Sequence, residues 1–559
     1  MNKLLTLTHT QTAAEYYAQN LWQAETLYLL MRRNAQATPN AFALRDPYKR
    51  ISWAETADWV DSVASSLSDA GLNTGDRVSI WLPNRIEAVI VFLACSRNGY
   101  ICNTSLHQNY TVAEIATLLE SIKSKAVFYQ VGYGADGKSS DVVKELGRVD
   151  SLCRIFGLNA REQFESPLPP GMHEFPVRSV STSLGPPEPN PDKVTYIAFT
   201  SGTTGIPKAV MHSDNTLLAN ARTMVEDWGH DEKTRLCTLS PMSHHIGTVA
   251  LNQVLVAGCE LVLYDPDAGY HYIDWIDHCG ATYVMGVPTH AMDILAELQN
   301  RGSEKLGEVS VFYMAGSPIP RQTADKMLSM GITPQNVYGM TENGSHSYTL
   351  PDDSTEVITG TCGKSCRVYE ARIWNELNPD EEAAPGEVGE IGGRGAMLML
   401  GYFNNQFATE NSFNAKGWFM SGDLGLIDQD GNLQVIGRKK DLIIRGGHNI
   451  YPARIEDLAL RHKEIVKVAA VPVRDDRLGE RVCLLVNVRA DSPSGEEVVE
   501  HLLANGLSKY DLPEFYAVLE SFPLTASGKI LKRVLVNQLR DGTVKALPIK
   551  RVTREGSSV

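Results

Sequence analysis

The sequence predicts an α/β protein with a large N-terminal domain and a small α+β C-terminal domain. Short apolar runs alternate with helix-like stretches through the first half of the chain, which is typical of βαβ units and mainly parallel sheets. At 559 residues the chain is too long for one compact core. We therefore expect doubly wound βαβ subdomains, then a small β-rich subdomain, then a small mobile α+β domain.

The apolar runs of the first half define the expected strands and one helix. A strand predicted over 78–82 leads directly into a helix predicted over 86–97. Further strands are predicted at 126–130, 236–240, 261–264, 282–287 and 311–314. The proline-rich stretch 167–192 is expected to run extended between two subdomains.

The pattern changes near residue 361. Short alternating runs with Gly-rich turns, such as 386–393 and 428–431, predict the small β-rich subdomain. The polar stretch 438–441 then marks a hinge. The predicted boundaries are 1–437 for the N-terminal domain, 438–441 for the hinge and 442–559 for the C-terminal domain. The last domain is expected to contain strands at 466–473, 482–488 and 515–519 and a helix at 495–507.

Composition excludes several classes of function. The formal net charge of −14 argues against nucleic-acid binding, which needs an excess of Lys and Arg. Residues 1–20 lack the features of a secretory signal, and no apolar run is long enough for a membrane span. The close pair Cys362 and Cys366 has no second pair to complete a zinc site. We expect a cytoplasmic protein whose cysteines are reduced and buried.

The stretch 200–208 carries the clearest chemical signal. Its residues, Thr-Ser-Gly-Thr-Thr-Gly-Ile-Pro-Lys, follow a predicted strand. Glycines let backbone N–H groups approach phosphate oxygens, hydroxyls add donors, and Lys208 adds positive charge. The spacing differs from the Walker pattern G-x-x-x-x-G-K-[ST], so a standard P-loop is disfavoured. Taken alone, the stretch is equally consistent with a surface turn of small residues.

Five ordered motifs, however, resemble those of the adenylate-forming superfamily of acyl-CoA synthetases, peptide-synthetase adenylation domains and luciferases. They are 200–208, 336–342 (Asn-Val-Tyr-Gly-Met-Thr-Glu), 417–423 (Gly-Trp-Phe-Met-Ser-Gly-Asp), 437–447 (Gly-Arg-Lys-Lys-Asp-Leu-Ile-Ile-Arg-Gly-Gly) and 523–529 (Pro-Leu-Thr-Ala-Ser-Gly-Lys). The resemblance spans nearly the whole chain. One departure is Ala209, where the family usually has glycine; the added methyl removes no phosphate donor.

The resemblance implies that a carboxylic acid is activated with ATP and Mg²⁺ as an acyl-AMP and then passed to a thiol. Because this chemistry brings two anions together, the site needs cations and hydrogen-bond donors. The implied catalytic residues are Lys529, His244, Glu342 and Lys208. The implied ATP- and AMP-binding residues are Thr200, Ser201, Gly202, Thr203, Thr204, Gly205, Gly316, Ser317, Tyr338, Gly339, Met340, Thr341, Asp423 and Arg438. Glu342 and Thr204 are implied to hold Mg²⁺, which prefers oxygen ligands.

Several of these residues have an ordinary structural interpretation when considered alone. Tyr338, whose ring would stack on adenine opposite Gly316 and Ser317, would otherwise be a core aromatic residue. Asp423, which with Arg438 would bind the ribose hydroxyls, would otherwise be a turn former. The surrounding motifs favour the functional interpretation in both cases.

The C-terminal motifs imply a rotating domain. In the family, the lysine corresponding to Lys529 contacts the carboxylate and α-phosphate during adenylation and is then withdrawn, with the pivot at Lys440. Arg445, Gly446 and Gly447 would then admit the pantetheine arm of coenzyme A. Because Lys529 is expected to be exposed as well as essential, its acetylation is a further hypothesis.

Three segments, 241–247, 285–289 and 343–347, resemble the family's acyl pocket. The implied pocket residues are His244, His245, Val287, Ser345 and His346. His245 is also consistent with a satisfied core histidine. Ser345 and His346 argue against a purely hydrophobic pocket. The stretch 339–353 most resembles members that activate aryl or alicyclic acids, and short- or medium-chain acids stay open.

The leading interpretation is an AMP-forming acyl-CoA ligase with coenzyme A as the thiol substrate. The alternative is a stand-alone adenylation enzyme that loads a carrier-protein phosphopantetheine, which the lack of a fused carrier or condensation domain disfavours. A non-catalytic nucleotide-binding protein is the third interpretation; the presence of all five charged residues of the motifs disfavours it. Homodimers are common among relatives, so a homodimer stays open.

Overall fold

A computed structural model of the chain describes residues 4–160, 166–178, 184–200, 207–316, 319–489, 492–525 and 529–549. The chain forms two compact units. The first comprises Met1–Ala371, Gly393–Phe413 and Gly417–Phe419, and the second comprises Arg372–Gly392, Asn414–Lys416 and Met420–Val559. The second unit therefore contains much of the β-rich region as well as the C-terminal part of the chain.

The strands, in chain order, are β1 (Phe42–Arg45), β2 (Arg50–Ser52), β3 (Arg77–Trp81), β4 (Ile101–Asn103), β5 (Ser124–Gln130), β6 (Arg154–Leu158), β7 (His173–Glu174), β8 (Val194–Thr200), β9 (Lys208–Ser213), β10 (Arg235–Thr238), β11 (Glu260–Leu263), β12 (Tyr283–Gly286), β13 (Val311–Ala315), β14 (Thr333–Met340), β15 (Gly344–Tyr348), β16 (Lys364–Ser365), β17 (Tyr369–Trp374), β18 (Gly389–Gly395), β19 (Phe419–Ile427), β20 (Leu433–Arg438), β21 (Ile443–Arg445), β22 (His448–Ile450), β23 (Ile465–Asp475), β24 (Gly479–Val488), β25 (Phe515–Val518) and β26 (Leu547–Pro548).

The helices are α1 (Thr10–Ala18), α2 (Leu27–Ala37), α3 (Trp53–Asp69), α4 (Ile86–Asn98), α5 (Val112–Ser121), α6 (Val142–Leu146), α7 (Asp214–Trp228), α8 (His245–Ala257), α9 (Tyr272–Cys279), α10 (Pro288–Asn300), α11 (Arg321–Ser329), α12 (Thr355–Gly360), α13 (Gln406–Glu410), α14 (Pro452–Leu460), α15 (Gly495–Ala504) and α16 (Lys532–Arg540). Among the helices in the described part of the chain, none combines the length and apolar character that crossing a bilayer requires.

Two large sheets form the first unit. Within the described residues, one has seven strands in the order β7-β6-β5-β3-β4-β8-β9 and the other has nine in the order β16-β15-β14-β13-β12-β10-β11-β1-β2. From β7 to β8, and from β14 to β1, neighbouring strands are parallel, whereas the pairs β8–β9, β14–β15, β15–β16 and β1–β2 are antiparallel. The prediction of βαβ units with mainly parallel sheets is confirmed.

The core of the first unit collects apolar side chains from both sheets and from the helices that pack on them. Helix α4 is buried from Ile86 to Arg97, and α8 is buried from Gly247 to Leu255. A helix that is apolar on all of its faces must be buried on all of them. Capping boxes at Ser52 and Thr111 start α3 and α5, since each side chain accepts from the third helical N–H group.

The second unit holds most of the four-stranded sheet β17-β18-β19-β20 and the sheet β22-β21-β24-β25-β26, to which β23 is added through β24. Helices α14, α15 and α16 accompany the second sheet, as expected for an α+β domain. The helix predicted over 495–507 ends at Ala504. Gly506, with φ +86°, lies two residues beyond, and a left-handed glycine there ends a helix.

The structure also modifies two expectations about less regular features. Within 167–192, the described residues contain the short strand β7 and otherwise irregular backbone. The expectation of buried cysteines is wrong for Cys153, which is exposed, and holds in part for Cys362, which is half-buried; the others are buried.

A buried charge ties α7 to the N-terminal helices. Asp214 is fully buried, and its carboxylate accepts hydrogen bonds from the backbone N–H of Leu27 (2.9 Å), Ser96 Oγ (3.1 Å) and Lys193 Nζ (2.8 Å). A buried carboxylate is tolerated only when it is paired and hydrogen-bonded. This contact therefore fixes α2, α4 and α7 relative to one another.

We expect Asp214→Ala to destabilise the first unit by about 3–5 kcal/mol, because it leaves the Lys193 ammonium, with a side chain 12% exposed, without its partner. Urea unfolding followed by tryptophan fluorescence measures the loss. The matched control is Asp274→Ala, which breaks an exposed pair with Arg301 and should cost less than about 1 kcal/mol. Equal losses in the two variants would contradict the anchoring role.

Candidate active site

The predicted phosphate loop connects two antiparallel strands. Strand β8 ends at Thr200 and β9 begins at Lys208, and these two residues are directly opposite in the register. The Thr200 hydroxyl donates to the Lys208 carbonyl oxygen at 3.4 Å. Ser201, Gly202, Thr203, Thr204 and Gly205 lie outside the described residues.

Lys208 belongs to a cluster with Glu342 and a tyrosine that sequence reasoning missed. The Lys208 Nζ atom lies 4.6 Å from the ring centroid of Tyr402, a cation–π distance. The Tyr402 hydroxyl donates to Glu342 Oε1 at 3.0 Å. Glu342 is only 9% exposed, so its carboxylate is held at a fixed position. Burial, and then the negative charge of Glu342, raise the pKa of Tyr402 and keep its hydroxyl a donor.

Glu342 sits in the tight turn between β14 and β15. The backbone N–H of Met340 donates to Asn343 Oδ1 at 3.0 Å, and the N–H of Asn343 donates back to the Met340 carbonyl at 3.2 Å. A side chain at Gly339 would lie 1.7 Å from the Gly344 carbonyl oxygen, so only glycine allows the strands to meet here. The turn therefore fixes where Glu342 projects.

A buried histidine supports the same turn from behind. His212 Nε2 donates to the Thr341 carbonyl oxygen at 2.7 Å, so Nδ1 is the acceptor for the Thr216 hydroxyl at 3.0 Å. Burial lowers the pKa of His212 to about 4, which keeps the ring neutral. His245 stacks on His212 with ring centroids 5.7 Å apart, and burial lowers its pKa to about 3. These contacts match the core-histidine interpretation of His245.

Tyr338 and Gly316 lie at the same edge of the nine-stranded sheet. Ala315 and Val337 are paired in the register of β13 and β14, and Gly316 and Tyr338 follow them directly. Ligands of open α/β sheets bind at such carboxyl ends of parallel strands. Tyr338 is buried, whereas Gly316 is exposed with φ +94°. Ser317 lies outside the described residues.

His244 precedes α8 and contacts a second histidine that the sequence did not indicate. Its ring centroid lies 4.5 Å from that of His107, which is hydrogen-bonded to Ser243 Oγ at 3.1 Å. Burial lowers the pKa of His107 to about 4. His107 carried no motif, so only the fold could reveal it. Val287 caps α10, and its N–H donates to His290 Nδ1 at 3.3 Å.

Ser345 and His346, both predicted for the acyl pocket, have different neighbours. The Ser345 hydroxyl lies 2.9 Å from the Tyr313 hydroxyl. His346 stacks on Tyr369 at 4.4 Å and meets the edge of Tyr338 at 5.1 Å. Consecutive residues of a strand face opposite sides of a sheet, so the structure does not bring these two side chains together. Both are nearly fully buried.

In the second unit, Asp423 and Arg438 form a pair. They are directly opposite on β19 and β20, and Arg438 Nε lies 3.2 Å from Asp423 Oδ1. Asp423 is 7% exposed, while the Arg438 side chain is about half exposed. Lys440 follows in a 3₁₀ turn, Lys439–Asp441, where burial and then Arg438 lower its pKa.

The predicted coenzyme A residues form a hairpin turn. Gly446 and Gly447 join β21 to β22 with φ +59° and +85°, as a two-residue turn with positive φ requires. The Arg445 guanidinium pairs with Glu514 and donates to the Leu512 carbonyl at 3.2 Å, so it also has a structural role.

Lys529 is exposed, and its backbone N–H donates to the Thr525 hydroxyl at 3.0 Å. The N–H of Thr525 donates in turn to the Lys529 carbonyl at 2.7 Å. These two hydrogen bonds join Thr525 to Lys529, the residues that flank 526–528; residues 526–528 lie outside the described residues.

Comparison with known proteins decides the family. The family model of the AMP-binding enzyme matches residues 31–403, and that of the AMP-binding enzyme C-terminal domain matches residues 454–529. The chain belongs to the AMP-binding enzyme family. The resemblance to adenylate-forming enzymes inferred from the motifs is confirmed.

Members of the AMP-binding enzyme family match over nearly the whole chain. The medium-chain fatty-acid–CoA ligase of Escherichia coli is 29% identical over 545 residues, covering 96% of this chain and 94% of that protein. The 2,3-dihydroxybenzoate-AMP ligase of Bacillus subtilis is 28% identical over 527 residues, covering 93% and 95%. The o-succinylbenzoate coenzyme A synthetase of Bacillus subtilis, solved with ATP and magnesium ion, has a TM-score of 0.76 at 26% identity, covering 92% and 99%.

We expect the free energy of unfolding to fall as the pH drops from about 6.5 to about 4, partly through His212. Its pKa is lowered on folding from 6.5 to about 4, so the unfolded chain binds more protons in this range. In urea titrations across this range, His212→Asn should reduce the slope by on the order of 1 kcal/mol per pH unit. A variant with the slope of the wild-type protein would contradict the assignment.

Proposed function

We propose that the protein is an AMP-forming acyl-CoA ligase. A carboxylate oxygen of the acid attacks the α-phosphorus of ATP, which forms acyl-AMP and releases pyrophosphate. The sulfur of coenzyme A then attacks the acyl carbonyl carbon, which forms the thioester and releases AMP. The observation that carries this proposal is the Lys208–Tyr402–Glu342 cluster at the end of the predicted phosphate loop.

The cluster suits a nucleotide bound with Mg²⁺. Among the described residues, no group of three or more His, Cys, Asp or Glu side chains could hold a metal by itself. One fixed carboxylate, from Glu342, with the hydroxyl of Thr204, suits a cation whose remaining ligands are phosphates and water. When bound, Mg²⁺ neutralises phosphate charge. Tyr402 orients the Glu342 carboxylate, and Lys208 compensates the charge of the phosphates.

The nucleoside would lie at the carboxyl edge of β13 and β14. In this proposal Tyr338 stacks on adenine opposite Gly316 and Ser317, and Asp423 and Arg438 bind the ribose hydroxyls. The short pairing of Asp423 with Arg438 supports their acting together. The remaining loop and turn residues proposed for ATP are Thr200, Ser201, Gly202, Thr203, Gly205, Gly339, Met340 and Thr341.

The C-terminal residues would serve both half-reactions. The proposed domains are 1–437 and 442–559, joined by the hinge 438–441 with Lys440 at the pivot, and Lys529 acts in adenylation. His244 would lie beside the carboxylate, and Arg445, Gly446 and Gly447 beside coenzyme A.

A carrier-protein acceptor is the second candidate, supported by the relative that is named an AMP ligase. A cytoplasmic location and a homodimer are also proposed.

The proposed reaction is tested by pyrophosphate release with ATP and Mg²⁺ across aromatic, alicyclic and aliphatic acids, with and without coenzyme A, followed by mass detection of products. Acid-dependent release with an acyl-CoA product supports the ligase. Release that stalls at acyl-AMP, with transfer to a carrier protein, supports the second candidate. No release with any acid contradicts both.

We expect Glu342→Gln to lower kcat of adenylation by about 10²-fold and to raise the Mg²⁺ concentration needed for half-maximal rate. Tyr402→Phe keeps the ring against Lys208 but loses the hydroxyl that orients Glu342, so its loss should be on the order of tenfold. Magnesium titrations of initial rate measure both effects. An unchanged Mg²⁺ dependence in Glu342→Gln would contradict the metal role.

We expect Lys529→Ala to lower the rate of adenylation by about 10²-fold or more, because the positive charge near the α-phosphate is lost. Thioester formation from supplied acyl-AMP and coenzyme A should be far less affected. The control is Lys463→Ala, at an exposed lysine of the same unit. Equal losses in the two half-reactions of Lys529→Ala would contradict the separation of roles between the half-reactions.

A further inference from the structure

Two buried tyrosines, Tyr283 and Tyr313, lie beside the segments proposed for the acyl pocket. The register pairs Met285 with Tyr313 and Tyr313 with Gln335, and Tyr283 lies two residues before Met285 on the same strand. Directly paired residues, and residues two apart in one strand, share a face of the sheet. Tyr283, Met285, Tyr313 and Gln335 therefore form one layer on three neighbouring strands.

Hydrogen bonds hold these tyrosines in place. Tyr283 and Tyr313 are each 1% exposed. The Tyr313 hydroxyl pairs with Ser345 Oγ at 2.9 Å, and the Tyr283 hydroxyl donates to Gln335 Oε1 at 2.7 Å. Because Ser345 belongs to the proposed pocket, the layer begins directly behind the pocket wall. An unbranched alkyl chain entering there would have to break these hydrogen bonds without replacing them.

Gln335 in this layer, and Asn252 and Gln253 on helix α8, are buried amides that each have one atom without a partner. Gln335 Nε2, Gln253 Oε1 and Asn252 Oδ1 have no hydrogen-bond partner among the described residues, and each residue is at most 1% exposed. The other end of Gln253 donates to Met285 Sδ at 3.4 Å, which places this amide at the pocket segment 285–289. Buried amides without partners are costly, so their presence here indicates a polar partner.

A small cavity lies next to one of these amides, that of Asn252. Its volume is about 10 Å³, and Asn252, Asn220, His245 and Gly344 are among its lining residues. That volume admits one water-sized group and no alkyl chain. The amides of Asn252 and Asn220 make its wall polar. Gly344 connects it to the turn that carries Glu342.

We propose that the acid activated by this enzyme is short or has a single ring and carries a hydroxyl group, rather than being an unbranched medium-chain fatty acid. This inference rests on the proposed function and on the proposed acyl pocket. A hydroxyl group both donates and accepts, so it satisfies the free oxygens of Gln253 and Asn252 or the free N–H groups of Gln335. None of the residues that carry the argument is cationic, which favours a neutral hydroxyl over a second carboxylate.

The test compares kcat/KM of the full chain for matched acids with ATP, Mg²⁺ and coenzyme A: benzoate against its hydroxylated derivatives, and hexanoate and octanoate against short hydroxy acids. Sites built for hydrogen bonding strongly reject analogues that lack the group, so we expect a preference for the hydroxylated acids of at least about 10²-fold. Gln253→Met removes the amide at similar volume and should reduce that preference by about tenfold.

One control variant and one replacement variant complete the test. Gln299→Met makes the same change at an exposed position of α10 and should leave the preference unchanged. Should Gln253→Met fail to fold, as judged by circular dichroism, Gln335→Met replaces it.

Higher kcat/KM for hexanoate or octanoate than for the hydroxylated acids overturns this inference and leaves the ligase assignment standing. An unchanged preference in the folded pocket variant, Gln253→Met or its replacement Gln335→Met, overturns the assignment to these amides. Absence of pyrophosphate release with every acid contradicts the proposed function itself, and the inference falls with it.

Discussion

The burial of one carboxylate organises the candidate active site. Glu342 is 9% exposed and is held by the Tyr402 hydroxyl, whose ring lies against the Lys208 ammonium. A buried carboxylate is stable only with such partners, so the turn that carries it must be positioned accurately. Gly339, the Asn343 amide and the neutral His212 ring each fix that turn through a separate contact. The position of Glu342 relative to Lys208 therefore depends on several separate contacts in the first unit.

The two mainly parallel sheets place proposed site residues from distant parts of the chain at the ends of strands. The ends of β8, β13 and β14 each deliver a residue to the candidate site, and these ends come from both sheets of the first unit. The core between the sheets contains α4 and α8, and the Asp214 carboxylate links α7 to α2 and α4. Helix α7 therefore links the core to the turn that carries Glu342, because His212, which supports that turn, is hydrogen-bonded to Thr216 near the start of α7.

Sequence patterns predicted the fold well where the signal was local. Alternating apolar runs identified the strands Arg77–Trp81, Ser124–Gln130 and Val311–Ala315 to within two residues. The motifs predicted Lys208, Glu342, Asp423 and Arg438 as site residues, which stays a prediction. Contacts between distant segments carried no such signal. Tyr402 and His107 belong to no motif, and the contacts of Ser345 with Tyr313 and of His346 with Tyr369 join distant segments. Helix α15 ends at Ala504, before the predicted end at residue 507, because the left-handed Gly506 ends the helix although the apolar pattern continues.

The central claim is that the Lys208–Tyr402–Glu342 cluster belongs to a site that joins an acid to AMP. Exchange of labelled pyrophosphate into ATP, measured without coenzyme A, tests this step alone because it requires reversible formation of acyl-AMP. We expect exchange that needs both an acid and Mg²⁺ and that is strongly reduced in Glu342→Gln. Exchange that proceeds without any acid, or equally well in Glu342→Gln, would contradict this claim.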